Sequence, residues 1–165
     1  MLWNIVTHFI EPQVNLAAAK LSAALRGQAA FRVIGQNMEP TLAQGTICRY
    51  RQMGANEQVA RGSIVAFTTS EFAGHVVPSR VLAKGGDTVQ IKGGQLLVNG
   101  QVLPEPYLRS TTPDEHPDEL FPQVVPKECY FLLGDHRGAS KDSRHFGPVP
   151  RSSLLGVVES VPRET

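Results

Sequence analysis

The chain has 165 residues, of which 41% are hydrophobic and 19% charged, with a formal net charge of +1. That is enough for one globular domain with its own core and excludes a disordered chain. The near-neutral balance, with no basic run interleaved with aromatics, argues against binding to nucleic acid.

The N-terminus carries the only helical pattern. Leu2, Ile5, Val6, Phe9 and Ile10 recur at helical spacing and make one apolar stripe. Glu11-Pro12 interrupts it, because the residue before a proline avoids the α region. Val14, Ala17, Ala18, Leu21, Ala24 and Leu25 then share a second face, and Gly27 after Arg26 suits a C-cap. The pattern predicts an amphipathic helical segment over residues 1–30. It can pack on the domain, grip a partner protein or lie in a membrane interface; with Lys20 and Arg26 as its basic residues, protein is favoured over lipid. No run reaches the roughly 18 apolar residues of a membrane span. "MLWNIVTHFI" also lacks the basic start and cleavage site of a secretory signal. The expectation is a soluble protein, in a bacterial cytoplasm or peripheral to a membrane.

From Phe31 the period changes, and residues 31–165 read as a β domain. The runs "FRVIG", "TICRY", "SIVAFTT", "HVVPSRVLA", "TVQIK", "QLLVNG", "CYFLLGD" and "LLGVVESV" are short, β-branched or apolar, and separated by Gly, Pro, Asn and Asp. Gly93-Gly94 and Asn99-Gly100 predict tight hairpin turns. Ser110 to Pro126, rich in Pro, Asp, Glu and Thr, predicts an exposed loop. The 15 glycines and 12 prolines favour the same mainly β reading. Cys48 and Cys129, the only cysteines, lie in apolar runs and are read as buried free thiols. With no CxxC and no HExxH, no metal site and no cofactor is expected.

Four blocks now stand in order: "GQNMEPTL", "RGSIVAF", "SRVLAKGGDTVQIKGGQLLVNGQVLPEPYL" and "GDHRGASKDSRHFGPVP". Together they resemble the type I signal peptidases, membrane-bound serine endopeptidases with a Ser-Lys dyad. The last block is the most specific. The resemblance covers about Phe31 to Val161 and implies an antiparallel β fold with an exposed groove. There an extended substrate pairs with strand edges, and small pockets select small residues before the cut. It also implies membrane spans at the N-terminus, where this chain has an Ala-rich amphipathic segment instead.

The resemblance places the nucleophile just before Met38 and the general base just before Arg80. Those positions hold Asn37 and Ser79. A serine needs a base to remove its proton, and a buried lysine with a lowered pKa does this in Ser-Lys enzymes. An amide nitrogen is almost non-basic and a hydroxyl accepts no proton at neutral pH. The rest of the apparatus matches. Gly35 suits a close backbone approach at the oxyanion position, and Ser140 corresponds to the serine that hydrogen-bonds the lysine. Asp142 and Arg144 correspond to a bracing acid-base pair, and Arg80 follows the base position. Met38 and Leu42 are expected to pack beneath a loop fixed by Pro40, Met38 also walling the groove. Asn37 and Ser79 can fill the vacated site by bonding one another.

The leading expectation is a catalytically silent homologue. It would hold an extended peptide or precursor protein in the former groove, as a chaperone or assembly adaptor. One rival is an active endopeptidase, with Asn37 and Ser79 being introduced substitutions or with a dyad rescued by His136, Lys141 or Lys84. Lys84 is read as lying in the turn before Gly85, beyond the strand that carries Ser79. A third reading is a structural subunit that binds partners through its N-terminal helices.

Overall fold

A computed structural model describes residues 28–108 and 119–160. The helical segment expected to end at Gly27 lies outside the described residues. Strand β1 (Gln28–Arg32) already begins inside the span given to that segment, so the β domain starts before Phe31. Pairing of Gln28 to Arg32 with Arg51 to Ile47 overrides the helical preference of Ala29 and Ala30.

The other strands are β2 (Ile47–Gln52), β3 (Ile64–Phe67), β4 (Val77–Lys84), β5 (Thr88–Lys92), β6 (Gln95–Val98), β7 (Gln101–Val102), β8 (Leu120–Val124), β9 (Cys129–Leu133), β10 (Val149–Pro150) and β11 (Leu154–Ser160). They form a seven-stranded sheet in the order β1-β2-β11-β3-β4-β9-β10 and a four-stranded sheet in the order β7-β6-β5-β8. Every pairing is antiparallel. Among the described residues no helix is long and apolar enough to cross a membrane.

The central strands are apolar on both faces because both faces are covered. Val65, Val81 and Leu132 pack with Phe67, Tyr130 and Val149 on one side. Leu82, Phe131 and Leu133 pack on the other against Val89, Ile91, Leu96 and Val98 of the small sheet. This explains the unbroken runs "SIVAF" and "CYFLL". The expected hairpins form where the turn residues allow positive φ. Gly93 and Gly94 join β5 to β6 at φ 56° and 73°, and Asn99 and Gly100 join β6 to β7 at 54° and 77°.

Three expectations change. Ser110 to Pro126 is not all loop: its end forms β8, with Val124 paired to Thr88 and Gln123 to Val89. Val125 is buried next to it. Apolar residues that polar neighbours masked in sequence complete the small sheet, and Pro122 is tolerated because β8 is an edge. Lys84 closes β4, the strand that carries Ser79, rather than a turn beyond it. Of the two free thiols only Cys48 is buried; burial pushes it up from its ordinary pKa, while Cys129 is half-buried at the start of β9.

The loop after β2 is tied down by charge. Arg51 grips Glu57 through two bonds of 2.6 and 2.9 Å, and Gly54 N donates to the same carboxylate. Those bonds, the Arg51 bond first, hold the Glu57 carboxyl down at about 2. A carboxyl depressed in the folded chain stabilises it fully above the ordinary value of 4.5 and loses that effect as pH falls to about 2. The gap in melting temperature between the wild type and Glu57→Gln is therefore expected to close as pH falls through that window. A gap that stays constant from neutral pH downward would refute the assignment.

Candidate functional site

The Asn37 loop leaves β1 through Val33, whose N–H bonds Thr46 O at 2.8 Å. Gly35 then sits at φ 83°, a left-handed conformation that favours glycine. A Cβ there would meet nothing within 4 Å, so conformation rather than close approach within the chain explains this glycine. Met38 and Leu42 are fully buried with Val33 and Tyr50, and they pin the loop from beneath as expected.

The "GDHRGASKDSR" block wraps against this loop. Gly134 packs so tightly that an added Cβ would run into Asn37 O and the Ser140 side chain. His136 N donates to Asn37 O at 3.0 Å, and His136 Nδ1 lies 3.2 Å from Gln36 O. Asp142 anchors the block. Its carboxylate caps the short helix α1 (Ser143–Phe146) by accepting from Arg144 N and also accepts from Gly134 N at 3.1 Å. Arg144 Nε donates to it at 2.9 Å, and Arg144 Nη2 reaches Arg137 O at 2.7 Å. The Asp142–Arg144 pair inferred from the resemblance thus forms, with both side chains buried.

A second brace was missed in the sequence. Arg80 holds Asp135 through bonds of 2.8 and 2.5 Å, and Thr41 of the Asn37 loop donates to the same carboxylate at 2.5 Å. The Arg80 guanidinium lies 3.9 Å above the Tyr107 ring. Tyr107 donates to Glu105, which pairs with buried Arg137. Burial first, then the bond to Glu105, pushes the Tyr107 hydroxyl up from its ordinary value, so it stays a neutral donor. The signal was available: a charged residue set in each of the apolar runs "SRVLA" and "FLLGD" must find a partner once those strands are buried.

Ser79 lies on β4, 2% exposed and opposite Val65 of β3. Val81 N bonds Ser63 O, so residues 79 and 81 turn their backbone groups toward β3. Arg80 and Pro78 turn theirs the other way. Leu133 of β9 meets Arg80 there, but the β9 ladder ends at that pair. Beyond it no strand of the described residues pairs with the Pro78 carbonyl on that side. Asn37 takes that place: its Nδ2 donates to Pro78 O at 2.8 Å.

The expected bond between Asn37 and Ser79 is therefore not made. The acceptor Asn37 uses is instead a backbone carbonyl that β9 leaves unpaired. Asn37 Oδ1 and Ser140 Oγ are buried without a hydrogen-bond partner. The lysines considered for rescue are engaged elsewhere: Lys84 Nζ on Gln58 at 3.2 Å and Lys141 Nζ on Glu71 at 2.6 Å. The region unites Asn37, Ser140, Asp142, Arg144 and Arg80 with the loop ends of β4 and β9. Among the described residues it holds braced polar loops around an unpaired strand edge, with no lysine on that edge.

Residues 8–161 match the family described as "Signal peptidase, peptidase S26". The chain is 32% identical over 139 residues to signal peptidase I V of Bacillus subtilis, covering 78% of this chain and 82% of that protein. It is 38% identical over 104 residues to signal peptidase I of Leptolyngbya laminosa, covering 58% of this chain and 49% of that protein. Its fold is similar to a crystal structure of a signal peptidase I from Enterococcus faecalis, with a TM-score of 0.55 and 32% identity, over 62% of this chain and 98% of the other.

Proposed function

We propose, for a chain that belongs to the signal peptidase family (peptidase S26), a role in holding peptides rather than cutting them. In this reading Asn37 and Ser79 stand where the family's nucleophile and base act. The protein binds an extended segment of a precursor along the edge of β4, as a chaperone or assembly adaptor. One observation carries it. The residue at the nucleophile position is a carboxamide bonded to Pro78 O, while the braces around it, Asp142–Arg144 and Arg80–Asp135, are intact.

Strand addition needs only an edge with free backbone groups and pockets for alternate side chains. On the side that β9 leaves open, residue 76 and the Pro78 carbonyl, now held by Asn37, offer such groups, while Val77 pairs with Phe67 of β3. A lost dyad does not touch them. Hydrolysis, by contrast, needs an activated oxygen and a proton acceptor. The groups bonded to Asn37, the Pro78 carbonyl and the His136 N–H, supply neither.

The test uses a fluorogenic peptide with small residues before the scissile bond. The wild-type protein is expected to bind it and leave it intact. It is also expected to show no added mass after exposure to a β-lactam acylating agent. Cleavage by the wild type that disappears in Asn37→Ala would overturn the silent reading.

A further inference from the structure

We propose that the Asn37 side chain is a latch on the peptide edge: its carboxamide fills one peptide-group position on β4 and must swing away before a strand can add there. The inference rests on the groove reading above and says how that groove is regulated.

A carboxamide carries a donor and an acceptor on adjacent atoms, as a peptide group does. Its Nδ2 meets Pro78 O at 2.8 Å, as the N–H of a neighbouring strand would. The position is the critical one. Pro78 has no N–H, so its carbonyl is the only backbone group that residue can offer an incoming strand. Arg80, the next residue facing that side, is already paired with Leu133. One side chain therefore blocks the edge at the point where it leaves β9.

The latch is also poised to open. Asn37 Oδ1 is buried with no partner, and a desolvated acceptor left unpaired opposes the closed position. Swung outward, both ends of the carboxamide regain water. Only Pro78 O then loses a partner, and an arriving strand restores it with its own N–H. Each state leaves one buried acceptor unpaired, Oδ1 when closed and Pro78 O when open, so the two lie within about one net hydrogen bond of each other. A ligand that needs the open state is weakened by the reciprocal of the fraction of time the latch is open, here about two- to fivefold. His136 N holds Asn37 O at 3.0 Å and the loop beneath is pinned by Met38, so opening needs a side-chain rotation and no loop movement.

Asn37→Ala and Asn37→Ser remove the reach to Pro78 O. The measurement is fluorescence anisotropy with a fluorescein-labelled peptide carrying Ala-Leu-Ala at its centre, on chains with wild-type near-UV circular dichroism. Both variants are expected to bind about two- to fivefold more tightly than wild type. Binding that is unchanged or weaker in the variants overturns the latch and leaves the groove reading standing. Absence of binding by wild type and variants alike overturns the groove reading and the latch with it. Nuclear magnetic resonance gives a check that needs no ligand. The Asn37 side-chain amide, identified by its loss in Asn37→Ala, is expected to exchange severalfold more slowly than a solvated asparagine in the free protein and to shift when the peptide is added. Exchange at the rate of a solvated asparagine overturns the latch.

Discussion

Asn37→Ser combined with Ser79→Lys is expected to turn on peptide cleavage, while neither single substitution does. Members of a nucleophile-base unit fail together: removing either costs about 10⁴- to 10⁶-fold in rate in well-studied cases. The double variant should therefore exceed each single variant by about 10⁴-fold or more. The site is ready to make the new lysine reactive. Position 79 is 2% exposed, and burial disfavours an ammonium, so an amine there is pushed down toward neutral pH. Ser140 Oγ waits nearby without a partner. Register brings the two elements together: Leu133 pairs with Arg80, so Gly134 comes level with position 79, and Ser140 packs on Gly134. An orphaned hydroxyl there is free to bond the introduced amine. The rate should rise with pH as that amine loses its proton. If the double variant is folded and binds peptide but does not cut, then more than these two residues separates the site from a cutting one.

Much of this architecture could be read before the structure. Turn chemistry gave both hairpins, because Gly-Gly and Asn-Gly tolerate the positive φ the turns impose. Unbroken apolar runs located β3 and β9, the strands covered on both faces. Strand β8 was hidden because its pairing with β5 closes over a long stretch of chain, and its polar flanks outweigh "LFPQVV" in any local window. The sequence indicated which of these residues stand near one another and not which of them bond. Motif spacing brought Asn37 near Ser79, but whether they bond depends on where β9 stops. That exposes Pro78 O, which no local pattern reports. Asp135 went unnoticed for a related reason: its partners, Arg80 and Thr41, come from separate loops and strands.

Asp135→Ala is expected to cost about 3–5 kcal/mol of stability. The Arg80 side chain is 11% exposed and Asp135 1%, so truncating the acid leaves a guanidinium in a dry site with its main partner gone. The bond to Gly62 O and the Tyr107 ring remain, but neither carries a compensating charge. Lys141→Ala is the contrast: that pair with Glu71 is about half exposed, and its loss should stay within about 1 kcal/mol. Urea unfolding of the two variants separates the cases, and equal losses would show that the Arg80–Asp135 pair is not the brace described. The effect should also reach the groove. Thr41 shares the Asp135 carboxylate, so its removal frees the far end of the Asn37 loop from β4. Replacing both charges, Arg80→Met with Asp135→Leu, should recover much of the stability, because no charge is left stranded. It should not recover peptide affinity, because the link from Thr41 to β4 is still missing. Stability and binding that return together would mean that the brace serves the fold alone.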